Sequence, residues 1–268
     1  MSRRLPFAAA AVALVAASAL LAGCGSGSKT ASPGSSAASS STAAGTLTVY
    51  AAASLKPTFT ELGATFTKEN PGTTVNFSFA GSSDLVANLI GGAPGEVFAS
   101  ADVANMTKAT DAGLVTGTPV NFATNTLAIV TPTDNPAKIA TFADLAKSGV
   151  KEVVCAPEVP CGAAAVKVET ATGVKLSPVS EEQSVTDVLG KVISGEADAG
   201  LVYVTDAKSA GDKVKTIDFP ESKDAVNTYP IGALKSSKSP ELATKFVSLV
   251  TGPEGQQVLT AAGFAPAP

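Results

Sequence analysis

Along most of this chain, short runs of alternating apolar and polar residues are followed by segments whose apolar residues recur every three or four positions. Leu47–Ala52 has the period-two pattern of a strand, and Leu55–Lys68 has its apolar residues spaced for one face of a helix. Asn70-Pro71-Gly72 ends this helix. The same alternation continues, with Val174–Val179 predicted as a later strand. Repeated β–α units of this length predict an α/β protein with mainly parallel sheets and right-handed crossovers.

Two long extended stretches, Pro119–Val130 and Thr216–Leu234, interrupt the β–α pattern. We interpret them as two strands that cross between domains. The first domain is then discontinuous, formed by residues 46–123 and 231–268, and the second domain is inserted at residues 127–229. A single doubly wound sheet is the alternative that the pattern leaves open.

The N-terminal segment does not belong to this pattern. Arg3 and Arg4 precede a short apolar run that ends in small residues, so residues 1–23 are predicted to be a secretory signal peptide and not a membrane span. The sequence Leu-Ala-Gly-Cys ending at Cys24 resembles the bacterial lipobox, which implies lipid attachment to that thiol; an ordinary export signal with an incidental Cys is the alternative. Residues 24–45 are rich in Ser, Ala and Gly, as in a flexible linker.

Charge and composition exclude several function classes. Without Arg3 and Arg4 the 19 basic residues become 17, all Lys, against 23 acidic residues, for a net charge of −6. This balance gives no basic face for nucleic acid. The chain has no His, which excludes Ser-His-Asp and Cys-His catalysis and imidazole metal sites. Without Arg after the signal peptide, no bidentate guanidinium clamp is available for an anion.

Two cysteines remain outside the lipobox, Cys155 and Cys161. In an exported protein a disulfide between them is the expected state, and it would close a small loop. A zinc site would need more thiols or His, so we favour the disulfide over a metal site.

Four predicted strand-to-helix junctions share small or hydroxyl-bearing residues. Ser54 is predicted at the N-cap of the first helix, and Ser82 follows at the next junction. Pro160-Cys161-Gly162 and Ser184-Val185 begin two later helices. In an open parallel sheet such junctions lie together at the carboxyl ends of the strands, where ligands bind.

A helix N-terminus presents unpaired N–H donors and a partial positive charge, which suit an anion. The four junctions together therefore predict a small-anion site built from neutral donors, although each alone is also what ordinary capping and packing produce. Tyr203 ends a predicted strand and is a further candidate donor; a Tyr at the edge of the core is the alternative. Tyr229, which precedes Pro230, is predicted to be a hinge residue.

Six motifs in this order resemble the periplasmic molybdate-binding proteins of ABC transporters, over the chain from about Leu47 to Ala265. The motifs are Val-Tyr-Ala-Ala-Ala-Ser-Leu, Phe-Ala-Gly-Ser-Ser-Asp-Leu, Gly-Ala-Pro-Gly-Glu-Val-Phe-Ala-Ser-Ala-Asp, Pro-Glu-Val-Pro-Cys-Gly, Ala-Gly-Leu-Val-Tyr, and the closing segment from Gly252 to Phe264. The resemblance implies two α/β domains of the periplasmic solute-binding type (type II-like), joined by two crossover strands, with the ligand cleft between them.

The resemblance also implies a site and a function. Its oxyanion donors fall on Ser54 and Ser82 (hydroxyl and N–H), the backbone N–H groups of Cys161 and Val185, and the Tyr203 hydroxyl. It implies a monomeric, lipid-anchored binding protein on the extracytoplasmic face of the cell membrane. The protein would deliver molybdate, and also tungstate, to a permease with its ATPase, with no cofactor and no direct metal ligand.

Two positions depart from the family pattern. Cys161 stands where a small residue such as Ala is more familiar, and its disulfide would stiffen the loop; Gly81 stands where Ser can occur. Among other functions, a binding protein for sulfate remains open, whereas ferric iron would need more Tyr, His or acidic ligands. An exported hydrolase using Ser54 and Lys56 has its two side chains on different helix faces. A purely structural surface lipoprotein is the last alternative.

Overall fold

The computed structural model describes residues 45–268. The predicted signal peptide, the lipidation at Cys24 and the predicted linker up to residue 44 lie outside the described residues. Between residues 45 and 268, no helix is long and apolar enough to cross a membrane.

In the described part of the chain, ten strands form two five-stranded sheets. The first sheet has the order β2-β1-β3-β10-β4 and the second the order β7-β6-β8-β5-β9. Each contains three parallel strands, β1, β2 and β3 or β6, β7 and β8, extended by antiparallel pairing with β10 and β4 or with β5 and β9. The strands are β1 Gly45–Ala52, β2 Thr73–Ala80, β3 Val97–Ala99, β4 Val120–Asn125, β5 Leu127–Thr131, β6 Glu152–Cys155, β7 Ser180–Glu182, β8 Ala199–Tyr203, β9 Lys215–Ile217 and β10 Asn227–Ala233.

Residues 45–268 also form nine α-helices and three 3₁₀ helices, of which the last two α-helices follow the last strand. The α-helices are α1 Lys56–Glu69, α2 Ser82–Ile90, α3 Val103–Asp111, α4 Phe142–Leu145, α5 Pro160–Thr172, α6 Val185–Ile193, α7 Val204–Ala210, α8 Pro240–Thr251 and α9 Pro253–Ala262. The 3₁₀ helices are Ala53–Leu55, Gly211–Lys213 and Pro220–Ala225. We call the first sheet with α1, α2, α3, α8 and α9 the first lobe, and the second sheet with α5, α6 and α7 the second lobe.

Helix α1 shows how the apolar pattern produces this packing. Phe59, Leu62 and Phe66 are buried on one face, where Phe59 and Phe66 lie 5.8 and 5.4 Å from the ring of Phe246 on α8. The helix ends where the Asn70 side chain and backbone both donate to the Phe66 carbonyl, and Gly72 then turns the chain at a φ of 85°. A left-handed φ of this kind favours glycine.

Two predictions about elements are wrong. Val174–Val179 is not a strand, because the side chains of Glu169 and Glu152 accept the backbone N–H groups of Leu176 and Ser177. The strand is Ser180–Glu182, a short edge strand whose residues are all polar and therefore lack the apolar alternation. The predicted extended stretch Thr216–Leu234 is interrupted by the 3₁₀ helix Pro220–Ala225.

The chain passes between the two sheets at two places. β4 belongs to the first sheet and β5 to the second, with only Thr126 between them. The return runs from β9 through the 3₁₀ helix to β10. The fold is therefore two α/β lobes joined by two crossings, and the carboxyl ends of the parallel strands from both sheets face a common cleft.

Candidate functional site: a cavity between the lobes

Chain segments that follow five strands surround one small cavity between the lobes. The first lobe contributes the segments after β1, β2 and β3, and the second lobe those after β6 and β7 together with the end of β8. All five residues predicted to be oxyanion donors line this cavity. The complete lining is Ala52, Ala53, Ser54, Ala80, Gly81, Ser82, Ala101, Val159, Pro160, Cys161, Val185 and Tyr203.

Ser54 lies in a 3₁₀ turn and not at the predicted N-cap. The turn Ala53–Leu55 comes between β1 and α1, and α1 begins at Lys56. The tighter turn places Ser54 Oγ 3.0 Å from the Tyr229 hydroxyl, with both groups buried. Ala52 and Ala53 beside it have no side chain beyond Cβ, so the main chain itself borders the cavity.

Ser82 is the first residue of α2 and is buried. Its Oγ accepts a hydrogen bond from the Ala101 N–H at 3.0 Å, which joins the start of α2 to the segment after β3. Gly81 before it allows the lobes to meet, because a Cβ on Gly81 would lie 2.1 Å from the carbonyl oxygen of Gln183 in the second lobe. No side chain fits in that space without a shift of the backbone.

Cys161 and Val185 bring the first turns of α5 and α6 to the cavity from the second lobe. Their backbone N–H groups belong to the first turn, where an α-helix has no acceptor of its own for them. A disulfide joins Cys161 to Cys155 at the end of β6, as the sequence predicts. Ser184 caps α6, since its Oγ accepts the Asp187 N–H.

Tyr203 is fully buried at the end of β8, and its hydroxyl accepts a hydrogen bond from Asn227 Nδ2 at 2.9 Å. Burial raises the pKa of Tyr203 well above its ordinary value, and the neighbouring Tyr229 and Asp102 raise it further. The hydroxyl therefore keeps its proton at every physiological pH and can act as a hydrogen-bond donor.

The cavity combines donors with an absence of charge. Among the described residues, none that lines the cavity is charged. The N-terminal ends of α2, α5 and α6 and the 3₁₀ turn before α1 supply N–H groups and the positive ends of helix dipoles. No group of three or more His, Cys, Asp or Glu residues within residues 45–268 is placed to hold a metal ion. The arrangement suits a small anion.

Three residues around the cavity are not among the proposed donors. Tyr229, which the sequence analysis interprets as a hinge residue, has its buried hydroxyl on Ser54. Asn227 donates to Tyr203, and Asn125 Nδ2 lies 3.5 Å from the Tyr229 hydroxyl. These contacts join residues 24 to 175 positions apart in the chain, so no local pattern in the sequence indicates them.

The model of a known family matches residues 47–265, and that family is described as bacterial extracellular solute-binding protein. The chain belongs to this family. Two relatives of this solute-binding protein are named molybdate-binding protein ModA. One, from Mycobacterium tuberculosis H37Rv, is 51% identical over 245 residues, which are 91% of this chain and 92% of the relative. The other, from Escherichia coli K12, is 30% identical and covers 82% of this chain and 89% of the relative.

Solved structures show the same two-lobed architecture. The periplasmic molybdate-binding protein of Azotobacter vinelandii matches this solute-binding protein with a TM-score of 0.72 at 24% identity, over 83% of this chain and all of that chain. The sulfate-binding protein SubI of Mycobacterium tuberculosis matches with a TM-score of 0.71 at 17% identity, over 83% of this chain and 87% of that one. At these identities the likeness shows the fold alone.

Proposed function

We propose that this protein is the extracytoplasmic binding component of an ABC importer and that it captures molybdate, and also tungstate, in the cavity between its lobes. One observation carries the proposal: hydroxyl groups and first-turn N–H groups from both lobes converge on a small cavity whose lining within residues 45–268 contains no charged side chain. The relative from Mycobacterium tuberculosis, similar over 91% of this chain, bears the name of a molybdate-binding protein.

The proposed donors divide between the lobes. Ser54 and Ser82 act from the first lobe through their hydroxyl and N–H groups. The backbone N–H groups of Cys161 and Val185 and the hydroxyl of Tyr203 act from the second. A tetrahedral dianion held by both sets bridges the lobes. Its binding energy then favours the closed arrangement over an open one, which is hinge closure around a ligand.

The donor set selects for fully deprotonated oxyanions. Hydrogen phosphate carries a proton that needs an acceptor inside the site, and none of the five positions supplies a carboxylate. A buried O–H group without an acceptor is costly, so this ligand is disfavoured. Sulfate has the same charge and shape as molybdate but is smaller, so its exclusion depends on how closely the cavity fits the larger anion.

The same proposal covers partners, location and domain boundaries. The protein acts without chemical turnover, as a monomer anchored through a lipid on Cys24 at the outer face of the cell membrane, and delivers its ligand to a permease with its ATPase. Residues 46–123 and 231–268 move as one domain and residues 127–229 as the other. The sheets support a division at these places to within a few residues, because the strands before Thr126 lie in the first sheet and so does β10, which already begins at Asn227.

Calorimetry on the chain from residue 25 onward, with molybdate, tungstate, sulfate and phosphate, tests the ligand. We expect molybdate and tungstate to bind and to raise the melting temperature, with sulfate much weaker and phosphate without effect. Sulfate binding as tightly as molybdate would overturn the ligand assignment. No stabilisation by any of the four anions would remove the proposed function altogether.

A further inference from the structure

Asn227 lies behind the cavity, at the start of β10 where the chain re-enters the first sheet. The residue is 4% exposed and does not line the cavity itself. Its Nδ2 atom donates to the Ala101 carbonyl at 2.8 Å and lies 3.3 Å from the Pro160 carbonyl. The third partner, at 2.9 Å, is the hydroxyl of Tyr203. Asn227 therefore connects both lobes with one of the proposed donors.

The orientation of the Asn227 amide follows from two of these partners. Carbonyl oxygens accept hydrogen bonds and never donate them, so the atom that faces Ala101 and Pro160 has to be the NH₂ group. An NH₂ group only donates, so the Tyr203 oxygen must accept from it. A phenol that accepts from Asn227 keeps its own single proton for another acceptor, either the neighbouring Tyr229 hydroxyl or a group in the cavity. Since Tyr203 lines the cavity, that acceptor can be a ligand oxygen.

The hydroxyl groups of Ser82 and Ser54 can likewise direct their protons toward the cavity. The Ala101 N–H donates to Ser82 Oγ. Asn125 Nδ2 lies 3.5 Å from the Tyr229 hydroxyl, which in turn bonds Ser54 Oγ at 3.0 Å. The Asn125 amide orientation is fixed because its Oδ1 accepts the Thr126 N–H at 3.1 Å. Each of these chains starts at a nitrogen that only donates, so a ligand oxygen can take the hydroxyl proton of Ser82, of Ser54 and, in competition with the neighbouring Tyr229 hydroxyl, of Tyr203.

We propose that Asn227 determines which protonation state of an oxyanion the site accepts, because it holds Tyr203 as a donor toward the ligand. This inference rests on the proposed function of the cavity as an oxyanion site. With Asn227 in place, Tyr203 points its own O–H at the ligand. The O–H group of a protonated oxyanion then faces another donor and has no acceptor at this position. Without the amide, the Tyr203 oxygen is free to accept that proton. Asn227 is a positioning residue, and its effect passes through Tyr203.

The test compares molybdate with hydrogen phosphate at about pH 8 by calorimetry. Asn227→Asp replaces the NH₂ group by an oxygen of the same size. We expect it to weaken molybdate about tenfold or more and to raise the affinity for phosphate relative to molybdate by at least a similar factor, as for a hydrogen bond to a charged group. Asn227→Leu removes the donor without adding an acceptor. This variant should also raise the affinity for phosphate relative to molybdate, but by a smaller factor.

Two controls make the result specific. Asn121→Asp makes the same chemical change at an exposed position of the neighbouring strand β4 and should leave both affinities unchanged. In a Tyr203→Phe background, Asn227→Asp should no longer alter the phosphate-to-molybdate ratio, because the hydroxyl through which it acts is absent. If a folded Asn227 variant keeps the phosphate-to-molybdate affinity ratio of the unmodified protein, the inference is overturned and the proposed function still stands. An unmodified protein that binds no oxyanion would contradict both.

Discussion

Ser54 and Ser82 each follow a parallel strand of the first lobe, β1 and β2 respectively. The groups that contact their hydroxyls differ. Ser82 Oγ accepts from a backbone N–H, that of Ala101, whereas Ser54 Oγ pairs with the side chain of Tyr229. Burial raises the pKa of Tyr229, so this partner also stays protonated. A serine hydroxyl that accepts one bond still has its own proton to give. Both serines can therefore donate into the cavity without losing their internal partners.

Replacing both serines by alanine should weaken molybdate binding sharply. Each lost hydrogen bond to a buried charged ligand costs about 1.5–3 kcal/mol, so the double variant Ser54→Ala/Ser82→Ala is expected to lose about 3–6 kcal/mol of binding free energy. Calorimetry measures the loss, and circular dichroism checks that the fold is retained.

Ser83 provides the matched control for this pair. It follows Ser82 in the first turn of α2, and its Oγ is buried without a hydrogen-bond partner in residues 45–268. Ser83→Ala should leave the molybdate affinity as it is. Equal losses from Ser83→Ala and from the double variant would show that truncation in this region acts through packing and not through donors.

The sequence indicates the residues at the cavity better than the residues behind it. Ser54, Ser82, Cys161, Val185 and Tyr203 all follow or end strands, so the rule that ligands bind at the carboxyl ends of parallel strands locates them. Their roles as donors stay a prediction.

Asn227 and Tyr229 show the limit of this reasoning. Both lie on β10, and they reach the site through side-chain contacts with residues distant in the sequence. No spacing rule connects such positions, so only the folded chain shows that they stand behind the donors.

Among the elements, predictions succeed where one face is apolar and fail where polar side chains organise the backbone. Helix α1 is predicted within a residue or two at each end because its apolar stripe packs on α8 and β2. Strand β7 is missed because its sequence is Ser-Glu-Glu at the edge of a sheet. Hydrophobic periodicity reports burial, and an edge strand with little burial leaves no such pattern.

The start of α2 allows a test of lobe closure. Gly81 has a φ of −60° and a ψ of 142°, which alanine also adopts, so Gly81→Ala introduces no backbone strain. Its Cβ would nevertheless lie 2.1 Å from the Gln183 carbonyl oxygen across the cleft. We expect the variant to fold normally, to bind molybdate at least about tenfold more weakly, and to remain more open with ligand present. Calorimetry and small-angle X-ray scattering measure the two effects.

Gly190 gives the control for this substitution. It lies within α6, where a Cβ would have nothing within 4 Å. Gly190→Ala should keep full affinity and stabilise the fold by up to about 1 kcal/mol, because alanine is the better helix former. Normal affinity and normal compaction in Gly81→Ala would rule out Gly81 as the point that limits closure.

For the whole molecule, the alternation of strands and helices is enough to predict an α/β class. The extended stretch Pro119–Val130 also predicts a crossing between domains, but the pattern leaves a single doubly wound sheet open, and only the structure assigns β4 and β5, one residue apart, to different sheets. That assignment depends on which apolar faces meet in three dimensions, and a linear pattern does not contain this information.

Two buried carboxyl groups couple the stability of the whole molecule to pH. Asp206 in the first turn of α7 and Glu152 on β6 each have one carboxyl oxygen without a hydrogen-bond partner in residues 45–268. Burial raises the pKa of Asp206 from 3.8 to about 7 and that of Glu152 from 4.5 to about 7. For both, the folded state binds the proton more tightly than the unfolded state. Their contribution to stability is complete below about pH 4 and is lost as the pH rises to 7.

Asp206→Asn should remove its part of this dependence. Asparagine does not ionise, so the free energy of unfolding of the variant, relative to that of the unmodified protein, is expected to rise between pH 4 and pH 7. The rise is up to about 4 kcal/mol, because one pKa unit corresponds to about 1.4 kcal/mol. Urea unfolding at five pH values from 4 to 8 measures it. Asp212→Asn, at an exposed position, should give a constant difference. A constant difference for Asp206→Asn too would contradict the raised pKa.

The first turns of α5 and α6 have a consequence for how this protein can change. The donors proposed at Cys161 and Val185 are main-chain groups, so an alanine scan across the cavity would leave them intact and would report these positions as unimportant. Among the encoded amino acids only proline lacks the N–H and would delete them. With the N–H groups of Ser54 and Ser82 counted as well, four of the seven proposed donor groups belong to the backbone. Side chains at positions 161 and 185 can therefore change without removing the proposed N–H donors.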